Sequence, residues 1–464
     1  MTAFTENLSE QNQGRTSVRY LVLGGGVTGL AFADALAAQG RGDECLVLER
    51  EREPGGYCRS THRNGYVWDY SGHFFHFRDN MLREELLGRM RALGHRVHEV
   101  ARLSKVAVCD RYIDFPFQRN IHQLPQAAFL RCLHDLYFAT RSASPESSGV
   151  GLLDSGASSA PTLPENASFY AMLYARFGRS IAEHFLIPYN EKLYATDLRH
   201  LDHNAMGRFF PYCDIDELLR HFVDPKPAGY NARFYYPEAG ASAYIEALTT
   251  RLEPDMLRLG EEVTRVDLPA RTVHTRRGSY RYDSLISSAP LPKLLQLCGE
   301  APSAALSWNQ VEVFNLGFDR KGVRDLHWLY VPDRDICFYR VGCYDNCVDG
   351  NKLSLYVEIG HAANVDANAL RSHAPETLAR ILNDLRRIRL IKDERLVDWQ
   401  QLILDPAYVH VSQAGSAFSA QKRQALSDQG VHSIGRYGRW TYCSIEDNIL
   451  EARALAHQLS AQPA

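Results

Sequence analysis

Leu21-Val22-Leu23-Gly24-Gly25-Gly26-Val27-Thr28-Gly29-Leu30 reads as a buried strand, a glycine turn and the start of a helix. Gly24, Gly26 and Gly29 fit G-x-G-x-x-G, and Glu49 closes the next apolar run, Cys45–Leu48, twenty residues beyond Gly29. The first glycine permits a tight turn, the second lets backbone N–H groups approach a pyrophosphate, and the third lets helix pack on strand. The helix N-terminus then faces negative charge, and the acid can accept from ribose hydroxyls. The pattern predicts a β-α-β unit over Val18–Glu49 that takes a dinucleotide.

A chain of 464 residues is too long for one core and is expected to divide. Its net charge of −3 offers no basic excess for a phosphate backbone, so nucleic acid is not the expected partner. No apolar run approaches the ~18–20 residues that span a bilayer. Residues 1–16 are polar, lack an apolar h-region and read as a disordered tail rather than a signal peptide. The cysteines form no C-x-x-C, and the closest group, Cys337, Cys343 and Cys347, lacks an adjoining pair of zinc-type ligands. They read as small buried residues of a cytoplasmic protein. No metal site is expected, since neither H-E-x-x-H nor a cysteine/histidine spacing occurs, and G-x-S-x-G is likewise missing.

Beyond Glu49 comes Arg50, then Arg52-Glu53-Pro54-Gly55-Gly56-Tyr57, whose Gly-Gly pair lets backbone approach a cofactor. A strand over Gly65–Tyr70 leads into Ser71-Gly72-His73-Phe74-Phe75-His76-Phe77. Helices are expected at Leu82–Leu93 and Leu124–Thr140, with a hairpin of Val106–Val108 and Tyr112–Phe117 between them. Residues 141–166 are a Ser/Gly/Pro-rich insertion, expected to be mobile. From Ser168 to Val223 the period is helical, broken around Pro188 and Pro211. Strands are expected at Arg233–Pro237, Thr272–Arg281, Tyr282–Ala289, Val311–Phe318, Leu326–Val331, Cys337–Cys343, Leu353–Glu358 and through Tyr408–Val411. Helices cover Ala243–Leu252 and Pro375–Arg387; Val431–Ile434 enters Gly435-Arg436, and a last helix runs from Ser444 to Leu459.

Gly24–Gly29, Glu49, Gly55-Gly56 and Gly435-Arg436 before a final helix resemble the FAD-binding pattern of the amine-oxidase and protoporphyrinogen-oxidase superfamily. Within it the chain most resembles the UDP-galactopyranose mutases. Tyr70–His76 is similar to their Y-G-x-H-x-F-H segment, Phe115–Asn120 to L-P-F-N-x-N, and Tyr189–Tyr194 to Y-T-E-K-Q-W. Phe338-Tyr339-Arg340 is similar to P-Y-T-R, Pro406–Val411 to P-Y-Y-P-V, and Gly435–Ile445 to G-R-x-x-x-Y-x-Y-x-D-M. The matches follow family order along most of the chain. The chain departs where the family aspartate falls on Ser444 and the family tryptophan on Tyr194. For the arginine near the substrate phosphates it offers only Arg208.

The resemblance implies an α/β fold: a Rossmann-like FAD-binding domain, an inserted helical subdomain and an antiparallel β-sheet substrate domain. Residues 17–80, 231–300 and 426–464 would form the FAD part, 81–230 the insertion and 301–425 the sheet. It implies that Gly24, Gly26, Val27, Thr28, Gly29, Glu49, Arg50, Gly55, Gly56, Tyr57, Val263, Gly435, Arg436, Ser444 and Ile445 hold FAD. Tyr194, Arg340, Tyr408 and Tyr442 would hold the substrate. His76, with His73 beside it, would organise the proton near the flavin, and Arg340 would also serve the chemistry. The implied reaction interconverts the pyranose and furanose forms of a nucleotide sugar, with reduced FAD as N5 nucleophile at the anomeric carbon and NAD(P)H or another external reductant as electron source. The competing reading is an FAD oxidoreductase of amine-oxidase or desaturase type acting on a small molecule. Pairing of two identical chains is a compatible assembly.

Overall fold

The computed structural model describes residues 16–141, 163–224 and 232–461. All but Thr16 of the expected tail, and residues 142–162 of the insertion 141–166, lie outside them. The described chain is mixed α/β and falls into two compact units. The first gathers the residues up to Glu99, Phe234–Ser307 and the chain from Ala414 onward; the second gathers Val100–Arg233 and Trp308–Gln413.

The first unit is built on a seven-stranded sheet. Ser17–Leu23 is parallel to Cys45–Leu48 on one side and to Ser279–Ser287 on the other, with Leu21 opposite Leu46 and Leu285. Val431–Ser433 adds a further parallel strand, whereas Val263–Asp267 and Thr272–Thr275 pair antiparallel. The central strands are buried on both faces, as their unbroken apolar runs require. The helix Val27–Ala38 covers the sheet through Leu30, Ala31, Phe32, Ala33 and Leu36, all fully buried. The last helix, Ile445–Ser460, packs beside it through Ile449, Ala452 and Ala456 in the same core. Tyr20 donates its hydroxyl to Leu459 O, tying the first strand to the end of that helix.

The second unit carries another seven-stranded sheet, in the order Leu396–Leu404, Asn309–Phe318, Ser354–Ala362, Arg340–Cys343, Trp328–Tyr330, Ser104–Val108, Arg111–Asp114. Its pairs are antiparallel except Trp328–Tyr330 with Ser104–Val108, which are parallel. One face is apolar: Phe314, Leu316, Leu329, Val341 and Val357 pack with Leu378, Ile381 and Leu385 of the helix Ala374–Arg387.

Two expectations need correction, and one helix goes beyond them. The helical run after Ser168 does not break at Pro188. A π-turn, Ala182–Leu186, hands over to the helix Ile187–Tyr194, and Pro188 falls in its first turn, where a missing N–H costs nothing. The chain kinks instead at Gly178, whose φ is +70°. Tyr408–Val411 is not a strand; only Val409 forms a bridge, with Trp308. The helix Gln413–Ser427 has no counterpart in the sequence reading.

Candidate functional site

In the first unit the expected cofactor residues converge. Gly29 packs so closely that a Cβ there would sit 2.0 Å from Gly24 O. The helix Val27–Ala38 starts at Gly26 with no side-chain cap and no acid in its first turn, leaving the N–H groups of Val27 and Thr28 at an open, positive helix end. Gly55 donates its N–H to Gly25 O at 2.7 Å, and Gly55 bridges to Gly26. The two glycine turns therefore abut. Buried Glu49 accepts from Gly25 N at 2.7 Å and from Glu51 N at 2.9 Å, which orients the carboxylate at the mouth of the turn. These features fit a dinucleotide: an uncapped helix end for the pyrophosphate and an oriented acid for a ribose.

The late segment reaches the same place. Gly435 has φ +79°, and a Cβ on it would meet Thr28 Oγ1 at 2.5 Å. Asn448 Oδ1 accepts from Thr28 Oγ1 at 3.2 Å and from Arg436 N at 2.7 Å. The Arg436 guanidinium lies 4.6 Å from the Tyr442 ring centre. Ser444, at the departed position, caps the last helix: its side chain accepts from Asp447 N while Asp447 accepts from Ser444 N, and Ile445 is the first helical residue. Tyr57 meets Tyr437 edge-on at 6.0 Å. Arg50 is exposed and pairs with Glu51 at 3.2 Å. Val263 sits at a bulge opposite Thr275.

The histidine segment also belongs to this unit. Ser71 has φ +78°, His73 Nδ1 lies 3.3 Å from Ser71 O, and His76 meets Phe234 edge-on at 5.9 Å. Phe75 stacks on Tyr244. Just before them, fully buried Asp69 accepts from Ser60 Oγ at 2.6 Å, Tyr236 OH at 2.9 Å and Ala241 N at 2.9 Å. Burial outweighs these donors and pushes the Asp69 carboxyl up to about 6.

In the second unit the sheet face opposite the apolar core is polar and aromatic. Strand register puts Trp328 beside Gly342 and Tyr356, and Tyr330 beside Arg340 and Glu358. The Tyr356 ring fills the space over Gly342. Arg340 donates to both oxygens of buried Glu358, at 2.5 and 2.8 Å, and to Tyr408 OH at 3.4 Å. Burial opposes the Arg340 charge, but Glu358 and the surrounding tyrosines raise it well above the ordinary value, so it stays a cation. Tyr194 is buried with its ring 6.0 Å from Tyr408 and 6.2 Å from His410. Tyr189 adjoins Tyr330 and Tyr339, whose centres lie 5.3 and 6.0 Å away. Burial pushes the Tyr189, Tyr339 and Tyr356 phenols far up, keeping them neutral. Arg208, also in this unit, lies over Phe209 at 4.6 Å.

The structure thus brings Arg340, Tyr408 and Tyr194 together in one unit, and His73, His76, Arg436 and Tyr442 belong to the other. Sequence reasoning missed Asp69, Asn448, Glu358 and Arg102. Asp69 and Glu358 carried a readable signal, an acid inside an otherwise apolar strand. Asn448 carried none, because its partner Thr28 lies 420 residues away. Among the described residues no group of three or more His, Cys, Asp or Glu side chains is placed to hold a metal ion, and no helix is long and apolar enough to cross a membrane.

Comparison with known proteins agrees with this geometry. Residues 27–459 match the model of the family described as flavin containing amine oxidoreductase. A coproporphyrinogen III oxidase of Staphylococcus aureus is 22% identical over 341 residues, 66% of this chain and 68% of its own. Among solved structures, reduced UDP-galactopyranose mutase superposes with a TM-score of 0.83 at 22% identity, covering 96% of each chain. Cyclohexylamine oxidase from Brevibacterium oxydans superposes with a TM-score of 0.63 at 15% identity, over 96% of this chain and 99% of its own. These likenesses show a shared fold, and the family and its neighbours use FAD. The chain belongs to the flavin containing amine oxidoreductase family and is an FAD enzyme.

Proposed function

We propose that this enzyme is a nucleotide-sugar mutase that interconverts pyranose and furanose forms. The observation that carries the reading is the buried Arg340–Glu358 pair reaching Tyr408 on an otherwise aromatic sheet face. A fixed cation among neutral phenols suits a leaving diphosphate: Arg340 meets its charge, and Tyr408 and Tyr194 add hydroxyls and ring surface. The ordered motifs and the overall likeness to the mutase structure support the same reading. Reduced FAD, when bound, would supply the nucleophilic character that chemistry at an anomeric carbon needs. Gly24–Gly29, Gly55 and Gly56 would hold the pyrophosphate and Glu49 the ribose, and Gly435-Arg436 would offer N–H groups and a cation to negative charge on the cofactor. His76, with His73 nearby in sequence, would hold a proton for the flavin. The free cysteines suit a cytoplasmic setting, where NAD(P)H is at hand as reductant.

A second reading, net oxidation of a small molecule, is favoured by the Staphylococcus aureus relative. Dithionite-reduced enzyme, held without oxygen and offered a panel of nucleotide sugars, separates the two. Ring-form conversion with no oxidised product is expected. No ring-form conversion there, together with substrate-dependent oxygen consumption or peroxide release by the oxidised enzyme in air, would sink the mutase.

A further inference from the structure

Arg102 lies just before the strand Ser104–Val108, half-buried at the same aromatic sheet face as Arg340. Its guanidinium carbon is 4.6 Å from the Phe115 ring centre and 5.2 Å from that of Trp328. Nε donates to Ser104 Oγ at 2.9 Å, which fixes the plane of the group. The rings continue from there: Phe115 lies 4.6 Å from Tyr330, whose hydroxyl accepts from Trp328 Nε1 at 2.7 Å. Tyr330 is in turn the register partner of Arg340.

The two arginines differ in one respect. Arg340 is neutralised by Glu358, whereas among the described residues no carboxylate pairs with Arg102 and no protein acceptor takes its two terminal nitrogens. Arg89 and Arg41, also partly buried, do pair with acids, Asp34 and Glu44. Burial disfavours the Arg102 charge, and nearby Arg340 disfavours it further. A cation held by rings, fixed at Nε and left with a free fork of donors matches a planar oxyanion.

We propose that Arg102 receives an anionic group of the substrate, a carboxylate or phosphate oxygens, over the Phe115 and Trp328 rings. This rests on the sheet face being the substrate face, and it narrows the substrate to a molecule with an anion for Arg102 in addition to whatever Arg340 meets. The FAD-loaded full chain, its R102Q and R102K variants, and calorimetric binding of five probes test it: inorganic pyrophosphate, succinate, UDP, a UDP-hexose with an uncharged sugar and a UDP-hexuronic acid. Retained flavin absorbance and an unchanged melting temperature show that the variants are folded.

R102Q is expected to weaken binding at least tenfold, with partial recovery in R102K. If the diphosphate is the anion, pyrophosphate, UDP and both sugars weaken together. If it is a sugar carboxylate, succinate and the UDP-hexuronic acid weaken while UDP does not. Wild-type enzyme that binds none of the five, or R102Q that binds them as tightly as wild type, overturns the proposal. Arg102-dependent binding of pyrophosphate or succinate without binding of any UDP compound keeps Arg102 and sinks the nucleotide-sugar reading instead.

Discussion

Around the Gly24–Gly29 turn, the groups facing a ligand are mainly backbone amides and a helix end; around Arg340 they are guanidinium and phenol side chains. The first site exists because atoms are missing: a Cβ on Gly29 would collide with Gly24 O at 2.0 Å. The second exists because atoms are present and paired, with Arg340 forked onto Glu358. Substitution therefore harms them in opposite ways. In the first it adds bulk that backbone cannot yield to, and in the second it strips out charge and leaves a partner stranded.

The largest effect is expected from Gly29→Val. The strand–helix junction must move, which costs about 3 kcal/mol or more, and the protein should purify without FAD. Full flavin absorbance in this variant would mean that the turn is not the cradle. Next, Arg340→Ala should lower turnover on the order of 10²–10³-fold while FAD remains bound, because the glycine turns belong to the other unit. It should also lower stability by about 3–5 kcal/mol, since Glu358, 1% exposed, is left buried without its cation. The double variant Arg340→Met/Glu358→Gln should recover the stability and not the turnover. Loss of flavin from the single variant would erase the contrast between the units.

The third effect is confined to the first unit. Folded Asp69 titrates near 6 against an ordinary 3.8. Between those values the native state binds more protons than the unfolded chain, so stability falls as pH rises from about 4 to about 6, by about 3 kcal/mol in all. Above that window both states are ionised and the loss is complete. Urea unfolding across this range should show the slope in wild type and its disappearance in Asp69→Asn. Equal slopes in the two proteins would place the titration elsewhere.

The same contrast explains what could be read in advance. Gly24, Gly26, Gly29 and Glu49 are legible because backbone geometry fixes both residue type and spacing. Arg340 and Tyr408 come into view only through the order of motifs, since an arginine or tyrosine in a strand fits many roles. Arg102 escapes altogether: its distinction is that no carboxylate among the described residues pairs with it, and that is visible only once its neighbours are placed. The helix Gln413–Ser427 escapes for a different reason. It buries only Gly415, Ser419 and Leu426, so no apolar period announces it. Pro188 misleads because a break was read from residue type alone, whereas a π-turn delivers the proline to the one position where a helix tolerates it.

The first unit is assembled from three separated stretches, and its last helix holds the first strand through Tyr20 and Leu459. This sets an order on biosynthesis. A nascent chain that has already emitted the glycine turn still lacks Gly435, Asn448 and the helix that shields the sheet, so its apolar strands wait while the whole second unit is translated. Contacts of such long sequence separation form late. Ribosome-stalled chains ending before Ile445 should therefore remain protease-sensitive and flavin-free, and capture of the cofactor becomes one of the final events in the life of the new polypeptide.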